Sequence, residues 1–60
     1  MNSAQIKIFI QKARNAERRA KVSEKYGDWM IAAELYREAK DEASAERCEV
    51  EADKCQWYTV

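Results

Sequence analysis

Tyr26-Gly27-Asp28-Trp29-Met30-Ile31-Ala32-Ala33-Glu34-Leu35-Tyr36-Arg37-Glu38-Ala39 is the stretch that decides the fold of this 60-residue chain. Gly27 is the only glycine, and there is no proline. A glycine ends a helix in the left-handed conformation without a Cβ clash. An aspartate after it caps a new helix by accepting a free backbone N–H. The stretch therefore predicts a helix stop and a helix start at 27–28. So short a junction makes the two helices antiparallel neighbours.

Upstream of the turn, apolar residues recur as Ile6, Phe9, Ile10, Ala13, Ala16 and Ala20. Their spacing keeps them on one helical face. It predicts a first helix over 3–26, with Asn2 or Ser3 as N-cap. The first half of that face is bulky and the second half is alanine. Alanines permit close helix contact, so the second half should lie nearest the second helix.

Downstream, Trp29, Ala32, Ala33, Tyr36, Ala39 and Ala43 form the next apolar face. Trp29, Tyr36, Ala43, Val50 and Trp57 are seven apart throughout, the spacing of one heptad position. Two readings follow. One is a continuous helix over 28–57, about 45 Å long at the helical rise. The other breaks near 41–44, with Ser44 as N-cap and Glu46 in the first turn of a third helix. The lack of Pro or Gly beyond Gly27 favours the continuous helix. The fold class is all-α: a single helical domain over 1–60, an antiparallel hairpin with a long second helix or a short third one, completed by dimerisation.

The Gly27-Asp28-Trp29 turn, with Ala32, Tyr36 and Ala39 after it, resembles the second half of a tetratricopeptide repeat. In that family, alanines allow close helix contact and aromatics wedge between helices. A similar hairpin occurs in MIT domains. The resemblance covers about a third of the chain, counted against the repeat pattern. Ala20 fits the small position of the repeat's first helix, while Ala16, Arg19 and Ser23 depart from its large apolar positions. The resemblance implies a protein-interaction scaffold. No peptide-clamp residues carry over, because one repeat has no concave groove. In length, helix content and alanine-rich charged surface the chain also resembles small accessory proteins of lambdoid phages.

A chain this short buries a modest core and needs a staple. It has no His, and its only thiols are Cys48 and Cys55. A structural zinc site wants four ligands, so no metal is expected. In a helix, residues seven apart have Cα atoms about 10 Å apart, beyond the reach of a disulfide. Free thiols fit a reducing, cytoplasmic compartment. Both cysteines read as small buried residues, Cys48 beside Ala45 and Ala52. The cluster Ile6-Lys7-Ile8-Phe9-Ile10 is too short for a signal sequence, and no run is long enough to span a bilayer. Association is the staple that remains.

No catalytic or cofactor-binding constellation is present, and no cofactor is expected. Phosphate loops, zinc-protease helices and nucleophile elbows are all missing from the sequence. The chain is expected not to be an enzyme.

Charge is the remaining signal. The net charge is zero, but residues 1–27 carry seven basic against two acidic groups, and residues 28–60 four against nine. Lys7, Arg14, Arg18, Lys21 and Lys25 form a basic stripe, interrupted by Glu17 and Glu24. Such a stripe is either a phosphate contact or a solvated face that attracts an acidic helix. The expected function is a small accessory protein acting by protein–protein contact as a homodimer, the basic helix of one chain facing the acidic helix of the other. Its candidate contact residues are Trp29, Tyr36, Val50, Trp57 and Tyr58, since aromatic anchors dominate interface energy. The alternative is a nucleic-acid-binding accessory protein using the basic stripe.

Overall fold

A computed structural model describes residues 2–58, with side chains described as far as Cys55. Among these residues three helices follow one another: α1 (Ser3–Ser23), α2 (Tyr26–Glu38) and α3 (Glu42–Tyr58). The fold is all-α, a small three-helix arrangement with α2 packed against both α1 and α3. No described helix is long and apolar enough to cross a membrane.

Asn2 starts α1. Its side chain accepts from the Gln5 N–H at 2.9 Å, and the Gln5 side chain accepts from the Asn2 N–H at 3.2 Å. This reciprocal pair satisfies two otherwise orphaned donors. The helix ends earlier than the glycine suggests. Glu24, not Gly27, takes the left-handed conformation (φ 56°), and its N–H donates to the Ala20 carbonyl at 2.8 Å. The Ser23 hydroxyl donates to the Asp28 carboxylate and accepts from the Lys25 N–H, holding the junction together. Gly27 lies in the first turn of α2 without a positive φ, and a Cβ there would meet nothing within 4 Å. The turn expected at 27–28 is thus at 24–25.

The continuous second helix over 28–57 is not what forms. Lys40 takes the left-handed conformation (φ 65°). Its N–H donates to the Arg37 carbonyl and the Asp41 N–H to the Tyr36 carbonyl, both at 2.9 Å. This double closure stops a helix even without glycine. Asp41 then caps α3, its carboxylate accepting from the Ser44 N–H at 3.2 Å. Ser44 is therefore the capped residue rather than the cap. The break divides the heptad stripe: Trp29 and Tyr36 are buried, whereas Ala43 and Val50 are exposed.

The core is mostly alanine. Ala13 and Ala20 of α1, Ala32 and Ala33 of α2, and Ala45 and Ala52 of α3 are fully buried with Cys48. Trp29 and Tyr36 fill the space between the helices. Small side chains let the backbones approach closely, which is why the alanine half of α1 contributes its buried residues. The bulky half does not join this cluster. At 1.5 Å per residue α1 spans about 31 Å and α2 about 20 Å, so roughly two turns of α1 outrun α2. These turns hold Ile6, Phe9 and Ile10, each only partly buried, and Ile8, 54% exposed.

Candidate interaction surface

The helices differ sharply in charge. α1 carries six basic groups and one acidic, Glu17. The spacing places Glu17 between the core alanines and the basic stripe, and the fold turns it inward. Its side chain is only 12% exposed. Tyr36 of α2 donates its hydroxyl to Glu17 Oε1 at 2.6 Å. Arg47 of α3 donates to both carboxylate oxygens, at 3.1 and 3.2 Å. Lys21, one turn on, approaches to 3.8 Å. One carboxylate therefore ties all three helices together. Burial, and then the bond to Glu17, push the Tyr36 phenol up to about 12. The Glu17 charge raises Arg47, and burial pushes the Cys48 thiol up. A raised thiol pKa opposes thiolate chemistry.

This inward turn changes the outer surface of α1. Lys7, Arg14, Arg18 and Lys21 fall within an arc of about 60° at roughly 100° per residue. Lys7, Arg14 and Arg18 have no carboxylate within ion-pair distance among the described residues. Glu17 does not break the stripe at the surface. Between α1 and α3 lies an open groove of about 1060 Å³, lined by Trp29 and by groups of both charges, with Lys21, Lys25, Arg47 and Lys54 beside Glu17, Glu24 and Glu51.

The opposite flank of α3 is acidic. Glu42, Glu46, Glu49 and Asp53 share a similar arc of about 60° by the same helical geometry. Arg37 of α2 reaches across to this flank, bonding both oxygens of Glu49 at 2.9 and 2.6 Å and approaching Glu42 at 3.4 Å. That bidentate contact holds the Glu49 carboxyl below its usual range. Glu34 and Glu38 of α2 are exposed beside Arg37 and Ile31, extending the acidic face. Among the described residues no cluster of three or more His, Cys, Asp or Glu could hold a metal ion.

The expected contact residues separate. Trp29 and Tyr36 are 5% and 4% exposed, so they serve the core, with Trp29 also lining the groove. Both are covered because α2 packs against α1 on one side and α3 on the other. Val50 is 54% exposed on α3. Trp57 and Tyr58 lie outside the residues whose side chains are described. Lys25 sits in the α1–α2 junction as the N-cap of α2 and borders the groove, apart from the α1 stripe. Sequence reasoning missed Glu17 as a tie. Two signals pointed to it: a lone acid among bases on the core-facing side, and a tyrosine hydroxyl that needs a partner when buried.

Comparison with protein-family models, curated proteins and solved structures found no match for this chain.

Proposed function

We propose that this is a non-catalytic accessory protein of the cytoplasm that works by direct contact with protein, and that it does so as a homodimer. The observation that carries this reading is the apolar surface the core does not use. Ile8, Ile31, Val50 and Val22 are 54%, 52%, 54% and 84% exposed, and the partly buried Ile6, Phe9 and Ile10 sit on the overhang of α1. Ile6, Phe9 and Ile10 share one face of that overhang by helical spacing, and exposed apolar patches on small proteins mark interaction sites. The tetratricopeptide-like character of the hairpin belongs to the same reading, supported by the burial of Ala20, Ala32 and Ala39. So does the resemblance to phage accessory proteins.

Affinity capture of the tagged chain from a host lysate, with and without nuclease, tests the reading. The expected result is a protein recovered near stoichiometrically, unaffected by nuclease and lost when Phe9→Asp disrupts the overhang. Recovery that is identical for wild type and Phe9→Asp would contradict the role given to this surface.

A second reading is favoured by one observation, the sequestering of Glu17. With that acid turned inward, Lys7, Arg14 and Arg18 of the stripe have no ion-pair partner among the described residues and can face a phosphate backbone. Nucleic-acid binding of this kind would fall steeply with salt. Capture abolished by nuclease would make it the better account.

A further inference from the structure

We infer that the basic stripe of α1 docks on the acidic flank of α3 in a second copy of this chain. This rests on the self-association proposed above and names its surfaces. The acidic partner is α3 with the adjoining edge of α2, not one long second helix.

The stripe Lys7, Arg14, Arg18 and Lys21 runs over about 21 Å of α1, and the flank Glu42, Glu46, Glu49 and Asp53 over about 16 Å of α3, at the helical rise. Each has four groups of one sign within about the same arc. Inside one chain these faces do not meet. The acid of α1 that approaches α3 is Glu17, and it meets Arg47 on the opposite flank of α3 from the acids. Arg37 answers only part of the acidic flank, leaving Glu46 and Asp53 without a base among the described ion pairs. A second copy brings the unanswered halves together. Complementary charge of this kind sets register and speeds encounter more than it adds affinity.

Apolar groups beside the charges distinguish a helix from a phosphate backbone as the occupant. Val22 flanks Arg18 on α1 and is 84% exposed, and Val50 flanks Glu46 on α3 and is 54% exposed. A docked helix covers both, whereas a phosphate backbone leaves Val22 wet. Made twice about a two-fold axis, the contact closes an isologous dimer; made once per copy, it is heterologous and runs head to tail.

The test is a charge swap on the full chain, read by sedimentation velocity at low salt with circular dichroism to establish that each variant is helical. One variant carries Arg14→Glu and Arg18→Glu, the other Glu46→Lys and Asp53→Lys. All four positions are exposed and lie outside the core. Wild type is expected to self-associate. Each variant alone should associate at least tenfold more weakly, because it opposes like charges. An equimolar mixture should recover association, because each variant then offers what the other lacks. If both variants associate like wild type, self-association stands on another surface and this contact is refuted. If the mixture stays monomeric while wild type associates, the pairing is refuted. If wild type is monomeric, both the pairing and the homodimer fail. Wild type that is monomeric and binds a DNA duplex, with binding lost in Arg14→Glu/Arg18→Glu, assigns the stripe to phosphates instead.

Discussion

Replacing Glu17 with alanine should destabilise this protein far more than a charge change on a helix normally does. Three contacts are lost. The bond from the Tyr36 hydroxyl is charge-assisted and lies beside a residue only 4% exposed. Bonds of that kind contribute about 1.5–3 kcal/mol. Arg47 and Lys21 are 58% and 67% exposed at their side chains, so their pairs add about 1 kcal/mol at most together. The total is about 2–4 kcal/mol. At 0.05–0.15 kcal/mol per residue a domain of this size has about 3–9 kcal/mol in all, so the loss removes a large part of it. Urea denaturation of wild type, Glu17→Ala, Tyr36→Phe and the double variant measures it. A double-mutant cycle should return a coupling of about 1–2 kcal/mol between the two side chains. Glu17→Ala within about 0.5 kcal/mol of wild type, the range of an ordinary surface substitution, would refute the reasoning. So would strict additivity with Tyr36→Phe.

The raised Tyr36 phenol predicts alkaline sensitivity. Folding favours the neutral phenol, so this contribution is complete below pH 10 and is lost as pH rises from about 10 towards 12. Two pKa units correspond to about 2–3 kcal/mol, and ultraviolet difference absorbance should show a tyrosine titrating late, less so in Glu17→Ala. At acid pH the depressed Glu49 carboxyl works the other way. Its contribution is present above the ordinary glutamate range and is lost as pH falls through the folded value, and Arg37→Gln should remove that part of the acid dependence in thermal melts. The left-handed residues predict opposite behaviour from the glycine. Lys40→Gly should stabilise by about 1 kcal/mol by relieving a Cβ conflict, and Gly27→Ala should stabilise by about 0.5 kcal/mol because it lies in a helix turn with free space around it. Loss of stability in Gly27→Ala would restore the glycine to the turn.

Much of the architecture was legible from spacing. Ala13 and Ala20, then Trp29, Ala32, Ala33, Tyr36 and Ala39, carry the periodicity of buried faces, and they are buried. Ala45, Cys48 and Ala52 could be read as small interface residues from their size. The helix ends were harder to read. Left-handed closures normally advertise themselves with glycine, and here Glu24 and Lys40 hold those positions. The one glycine drew the turn to itself, although its neighbours Ser23 and Asp28 supply the bonds that make the junction. Lys40 likewise concealed the break that separates α2 from α3, and with it the division of the heptad stripe. The surface was legible only as a count of charges. Which acid turns inward depends on a tyrosine nineteen residues away and an arginine thirty away. Spacing alone puts Glu17 on the core-facing side of the stripe, but no local pattern names the two partners it meets there.

The proposed completion of this chain by a second copy is open to a simple measurement. Light scattering of the unmodified protein at high micromolar concentration, at low and at high salt, tests it most directly. A mass above that of one chain is expected at low salt, falling towards one chain as salt rises. One chain's mass at both salts would contradict it.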